Sequence, residues 1–157
     1  MALETKLDLN PETIEHIQDL ICINIDAYDG LKESAELIAD QRVATVFREL
    51  AQERSQIAKE LQTYCEWNGE QARQEGSIAA AVHRAWINIR GMVSDGDAYA
   101  ILAEAERGED QIKHAYEKAL KNSAGSAMTD VLQAQYRKVK AGHDRIRDLR
   151  DHYKAMK

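Results

Sequence analysis

The chain has 157 residues, which suits one domain, and 44% of them are hydrophobic. Charged residues make up 31% and proline occurs once, a composition typical of long helices because proline interrupts them. The net charge of −6 argues against a nucleic-acid partner, which is bound through a basic surface. Basic and acidic residues alternate along the chain and no apolar run approaches the about 20 residues of a membrane span, so we expect no membrane partner.

Two further features indicate the compartment. Cys22 and Cys65 lie in separate predicted helices, without the spacing of a metal site. Residues 1–10 lack the layout of a signal peptide. We interpret the chain as a cytoplasmic protein with reduced thiols.

The first predicted helix covers about residues 11–39. Asn10 is a suitable N-cap and Pro11 suits the first helical position. Apolar residues, one asparagine among them, recur at alternating steps of three and four, which predicts a seam packed against neighbouring helices. This seam consists of Ile14, Ile17, Ile21, Asn24, Tyr28, Leu31, Ala35 and Ile38.

The second long helix is predicted for residues 41–67, with Asp40 as its N-cap and Asn68-Gly69 as its end. Its seam consists of Val43, Phe47, Leu50, Arg54, Ile57, Leu61 and Tyr64. A shorter amphipathic helix follows at 77–93, and its single apolar face consists of Ile78, Val82, Ala85, Trp86, Ile89 and Val93. Because it is short and one-sided, we expect it to cross the bundle.

Two more long helices are predicted at about residues 97–121 and 127–155. The seam of the first consists of Leu102, Ala105, Glu109, Ile112, Tyr116 and Ala119, and that of the second of Leu132, Tyr136, Val139, His143, Ile146 and Tyr153. Two long helices, a shorter helix and two more long helices predict an all-α, ferritin-like antiparallel four-helix bundle with a crossover helix, as one domain over residues 1–157. A plain five-helix array is the alternative.

Short motifs in a fixed order carry a family resemblance. They are Asp29-Gly30 with Ala35-Glu36, Phe47 with Arg54, His83-Arg84-Ala85-Trp86, Glu106-Arg107-Gly108-Glu109-Asp110, and Tyr136 followed by His143-Asp144 and Arg147-Asp148. In this order and spacing the chain resembles an uncharacterised bacterial family of ferritin-like four-helix-bundle proteins, a domain of unknown function. The resemblance implies the fold and a stress-related role, and it implies no established reaction.

Each of the four long seams has one polar residue near its middle: Asn24, Arg54, Glu109 and His143. Mid-helix residues of an antiparallel bundle lie at similar heights, so we expect these four to form one buried layer. An unpaired buried polar group costs about 1–3 kcal/mol, which favours mutual satisfaction. The natural charge pair is Arg54 with Glu109.

A ferritin-like di-iron site requires a Glu on each of two helices and a Glu-x-x-His pair on each of the other two. Neither Glu49 nor Glu53 is followed by His at the third residue, and Lys140 stands where the carboxylate before His143 belongs. The positive charge of Arg54 would repel metal ions. We therefore interpret the layer as a structural replacement of a metal site, in a non-catalytic protein without a cofactor.

Other hypotheses about metal binding and partners remain open. A di-iron oxidase or peroxidase, or a single-metal binding module, would hold iron or zinc through Glu36, Glu106, Glu109 and His143. A symmetric homodimer is a further hypothesis, because Leu20, Ile25 and Leu37 lie beside the first seam. An unidentified protein partner is another.

Overall fold

The computed structural model describes residues 4–76, 97–123 and 125–156. Within these ranges the chain forms four α-helices and no strand, which confirms the all-α prediction at this level. The helices are α1 (Pro11–Leu37), α2 (Gln41–Trp67), α3 (Ala98–Asn122) and α4 (Thr129–Ala155). The crossover helix predicted for 77–93 lies outside the described residues.

Local capping determines where α1 ends and where α2 begins. Ile38 has an extended backbone, with φ of −73° and ψ of 127°, so α1 ends two residues before the predicted position 39. The carboxylate of Asp40 then accepts hydrogen bonds from the backbone N–H groups of Arg42 (3.0 Å) and Val43 (3.2 Å). These bonds satisfy amides that a helix start leaves without partners. The reversal between the two helices therefore needs only three residues.

Contacts between side chains give the helix directions. His16 contacts Ser123 (3.1 Å) and Asn24 contacts Tyr116 (3.1 Å), so α1 and α3 are antiparallel. Glu49 binds Arg145 and Glu60 binds Gln135, so α2 and α4 are antiparallel as well. Because α1 and α2 are also joined by a short reversal, α2 and α3 run in the same direction. The end of α2 and the start of α3 thus lie at opposite ends of the bundle.

The predicted seams face the interior of the bundle. Fully buried apolar or aromatic side chains come from every helix, and they include Ile17, Leu61, Leu102, Tyr116 and Ile146. Leu20, expected beside the seam and available for association, is only 2% exposed, so it belongs to the core of its own chain. No helix in the described part of the chain is long and apolar enough to span a membrane.

Candidate functional site

The centre of the bundle contains an ion pair between α2 and α3. Arg54 and Glu109 are both 0% exposed. Arg54 donates from Nη2 to Oε1 of Glu109 (2.6 Å) and from Nε to Oε2 (3.3 Å), which is the bidentate geometry of strong guanidinium–carboxylate pairs. Burial by itself lowers the pKa of Arg54, but the neighbouring carboxylates of Glu109 and Glu53 outweigh it and raise the pKa above its usual value. Arg54 is therefore a permanent cation in the core.

Two more residues complete the surroundings of Arg54. Its Nη1 donates to Oε1 of Glu53 (2.8 Å), whose side chain is 36% exposed and links the pair to the surface. On α4, Gly142 makes room for the guanidinium: a Cβ there would lie 2.5 Å from Nη2 of Arg54 and 3.0 Å from Cδ2 of Leu50. Sequence reasoning missed Gly142. Its signal was a glycine inside a long helix, which costs about 1 kcal/mol relative to alanine and needs a packing reason.

His143 lies at the edge of this layer and faces carboxylates. Its Nε2 is 2.7 Å from Oδ1 of Asp110 and 3.8 Å from Oε2 of Glu106, while its Nδ1 is 3.0 Å from Oδ1 of Asp144. The hydrogen bond with His143, offset in part by burial, helps to lower the pKa of Asp144. Glu106 is also paired with Arg150. His143 therefore joins α4 to α3 through acidic neighbours.

Asn24 belongs to a different polar group. Its Nδ2 donates to the carbonyl oxygen of Leu20 (2.8 Å) and to Oη of Tyr116 (3.1 Å). Tyr116 donates to Oε1 of Gln135 (2.8 Å), whose Nε2 donates to Oε1 of Glu60 (2.7 Å). This chain of hydrogen bonds includes residues of all four helices. Burial raises the pKa of the Tyr116 hydroxyl, which keeps that hydroxyl protonated as a donor.

The single buried layer of four residues stays a prediction. Hydrogen bonds join Arg54 to Glu109 and Asn24 to Tyr116. Asn24, Arg54, Glu109 and His143 are all buried.

Each candidate metal ligand either binds another side chain already or lies apart from the other candidates. Glu36 is exposed on α1, whereas Glu109 is buried with both oxygens bonded to Arg54. Glu106 is shared between His143 and Arg150. Among the described residues, no group of three or more His, Cys, Asp and Glu side chains is arranged to hold a metal ion. The layer can hold helices together through charge, and its best-placed carboxylate is neutralised by a guanidinium.

The four helices of the described ranges, with their internal ion pair, place the chain in the class of all-α helical bundles. The chain belongs to the family described as Domain of unknown function (DUF2383), whose match covers residues 12–122. The match includes Asn24, Arg54 and Glu109, and α4 with Gly142 and His143 lies beyond it. No curated protein matches the chain.

Proposed function

We propose that the chain is a non-catalytic, ferritin-like bundle protein in which a charged layer has replaced a di-metal site. One observation carries the proposal: the fully buried guanidinium of Arg54 binds both oxygens of Glu109, the carboxylate that α3 directs toward the centre. A permanent cation in this position supplies the positive charge that metal ions supply in a di-iron bundle.

The helix directions support the ferritin-like part of the proposal. α2 and α3 run in the same direction, so their connection has to cover the length of the bundle, as the single long crossover of ferritin-like folds does. The resemblance to a bacterial family extends the proposal to a cytoplasmic, stress-related protein that acts through a protein partner. We propose no chemical reaction for it.

Metal analysis of the purified chain tests the proposal. Protein prepared without chelator, and again after anaerobic incubation with Fe²⁺ followed by desalting, should contain far less than one iron or zinc per chain. The free energy of unfolding should not rise when either metal is added, because a ligand bound only by the folded state would stabilise it. About two irons per chain, the content of a di-iron protein, lost on Glu109→Leu, would contradict the proposal.

A single-metal site around His143 is the alternative. His143 has Asp110 at 2.7 Å and Glu106 at 3.8 Å from the same ring nitrogen, Nε2. Nitrogen and carboxylate oxygen together suit zinc or iron. About one zinc per chain that is lost in His143→Gln, but retained when the exposed His114 is replaced by Gln, would establish this alternative.

A further inference from the structure

Residues 4–10, which precede α1, lie at the end of the bundle where α1 starts and α2 ends. The side chain of Asn68, the C-cap of α2, donates to the carbonyl oxygen of Lys6 (2.9 Å) and accepts from the backbone N–H of Leu9 (2.7 Å). Leu9 packs in the core of the bundle. The segment is therefore attached to the hairpin of α1 and α2.

The same segment also reaches the hairpin of α3 and α4. Oε1 of Glu4 accepts from the backbone N–H of Ala127 (2.9 Å) and from Oγ of Ser126 (2.7 Å), both in the turn that leads into α4. Nζ of Lys6 lies 3.1 Å from Oδ1 of Asp130, in the first turn of α4. The segment consequently joins the two hairpins.

The carboxylate of Glu4 is surrounded by polar groups from both hairpins. Its Oε2 accepts from the backbone N–H of Asn10 (2.8 Å), so three donors converge on one side chain together with Ser126 and Ala127. The side chain of Thr13, a residue that is only 7% exposed, interacts with the same carboxylate. Burial by itself raises the pKa of Glu4, but the interaction with Thr13 and the three donors outweigh it and lower the pKa. Hydrogen bonds of this kind favour the charged form, so the surroundings select an ionised carboxylate.

Little apolar burial holds the segment in place. Only Leu9 is buried among residues 4–10, whereas each long helix buries a whole seam. Parts of a protein with few buried apolar contacts open at a lower free energy than its core. Because Glu4 and Asn68 hold the two ends of this short segment, release of one end weakens the hold of the other.

We propose that residues 4–10 form a clasp that opens and closes as one unit while the bundle stays folded, and that its closed state depends on a carboxylate site filled by Glu4. The site consists of the N–H groups of Asn10 and Ala127 and the hydroxyl of Ser126. Its ligand class is a carboxylate, and the chain supplies that ligand itself.

The clasp also determines the surface at this end of the bundle. Leu7 is 65% exposed, and the bonds of Asn68 to Lys6 and Leu9 hold it in place. Opening of the clasp removes Leu7 from this position and therefore changes the apolar surface that the bundle presents. This inference does not depend on the proposed function, because it concerns the end of the bundle and not the ion pair at its centre.

Hydrogen exchange of single amides, followed by NMR on the full chain, tests the clasp. The amides of Leu9, Asn10 and Ala127 donate to acceptors on different elements. We expect all three to have similar protection, weaker than that of the interior amides of α2. Glu4→Ala should raise the exchange rates of all three several-fold, including that of Leu9, whose acceptor is Asn68 and not Glu4.

Lys6→Ala is the matched control. Its salt bridge with Asp130 comes from the same segment and reaches the same hairpin, but the two side chains are 38% and 71% exposed. Exposed pairs contribute little, so this variant should leave the three exchange rates unchanged. Rates raised as much by Lys6→Ala as by Glu4→Ala would overturn the role of the carboxylate site.

Acetate probes the carboxylate site directly. In Glu4→Ala the three donors have lost their carboxylate, and acetate is small enough to take its place. Acetate should slow the exchange of Asn10 and Ala127 toward the wild-type rates, whereas sodium chloride at the same concentration should not. In wild type, where Glu4 fills the site, acetate should have no more effect than chloride.

Other outcomes would overturn the proposal. An unchanged rate for Leu9 in Glu4→Ala would show that the contacts are independent, and equal protection of the three amides and the interior of α2 would show that the segment opens only with the bundle. No effect of acetate beyond that of chloride would exclude the carboxylate site. If Glu4→Ala does not fold, Glu4→Gln, which keeps the shape and removes the charge, should raise the same three rates by a smaller factor, and unchanged rates would overturn the proposal.

Discussion

At the scale of single residues, the central ion pair determines how the core tolerates change. Burying two charges away from water costs free energy, and only bidentate geometry and further hydrogen bonds offset that cost. Arg54 has both, since it binds Glu109 twice and Glu53 once. Loss of one partner should therefore cost more stability than loss of both.

Replacing Arg54 alone should destabilise the protein strongly. Arg54→Ala leaves the buried carboxylate of Glu109 without its partner, which typically costs about 3–5 kcal/mol. The double variant Arg54→Leu with Glu109→Leu should recover most of that loss, because two apolar side chains fit a buried site. Urea denaturation at neutral pH measures both.

The control for this cycle is Arg107→Ala. Arg107 pairs with Glu104 on the same helix but its side chain is 70% exposed, so its loss should cost about 0–1 kcal/mol. If Arg54→Ala is as mild as Arg107→Ala, the charged layer does not stabilise the bundle as described.

Gly142→Ala should destabilise the protein although alanine favours helices. The gain in helix propensity is about 1 kcal/mol. The added Cβ would lie 2.5 Å from Nη2 of Arg54, and overpacking of this kind costs about 1–3 kcal/mol. We expect a net loss in urea denaturation that shrinks when Arg54 is replaced by Leu in the same chain. A stabilising effect in the wild-type background would show that the guanidinium can move away.

At the scale of the helices, the ends depend on side chains that come from other elements. Asp40 caps α2, and the hydroxyl of Tyr153, near the end of α4, donates to its other carboxylate oxygen. This bond from Tyr153, offset in part by burial, and the capping bonds lower the pKa of Asp40. One carboxylate thus joins the start of α2 to the end of α4.

The cap makes a testable contribution to acid sensitivity. The pKa of Asp40 is lower in the folded than in the unfolded state, so its stabilisation is present above the unfolded pKa and is lost as pH falls through the folded pKa. Asp40→Asn should therefore lower the unfolding free energy at neutral pH, with a difference from wild type that disappears in strong acid. Urea denaturation across a pH series measures it.

Tyr153→Phe is the matched variant, because it removes the largest cause of the lowered pKa and keeps the cap. The Tyr153→Phe protein should therefore keep part, but not all, of the stabilisation that wild type loses in acid. A deficit of Asp40→Asn that is equally large at neutral pH and in acid would contradict this account.

At the scale of the whole molecule, association of two chains depends on which apolar side chains the bundle exposes. Leu20 is buried and Ile25 is partly buried against the core, so these two apolar side chains are engaged within the chain. In the described part of the chain the exposed large apolar side chains are Leu7, Trp67 and Met156. Asn68 binds the backbone of Lys6 and Leu9, which holds Leu7 near the end of α2 and Trp67.

The homodimer stays a prediction, and this end of the bundle is where we expect its contact. Light scattering at high micromolar concentration should give twice the mass of one chain. Trp67→Lys should give the monomer mass, and Arg48→Ala, a change at an exposed position on the same helix, should leave the dimer intact. A monomer mass for the wild-type chain would contradict the hypothesis.

The sequence made parts of this site predictable for identifiable reasons. Arg54 and Glu109 stand out as charged residues in apolar seams, and a buried charge needs an opposite charge, so their contact could be anticipated. Gly142 could not be linked to Arg54, because the space that a Cβ would need depends on a side chain from another helix. The network around Asn24 was missed because Gln135 and Glu60 fall outside the predicted seams, although Tyr116 lies in one of them.

Helical structure and the inward faces were determined by the sequence alone, because residue spacing and capping groups such as Asp40 act within a few residues of each other. The heights at which helices meet were decided only by the tertiary structure. A seam repeats every seven residues, so sliding one helix by two turns leaves the apolar pattern unchanged, and specific pairs such as Asn24 with Tyr116 select the position. The common direction of α2 and α3 follows from cross-helix contacts, and in the sequence only the long predicted connection between the two helices pointed to it.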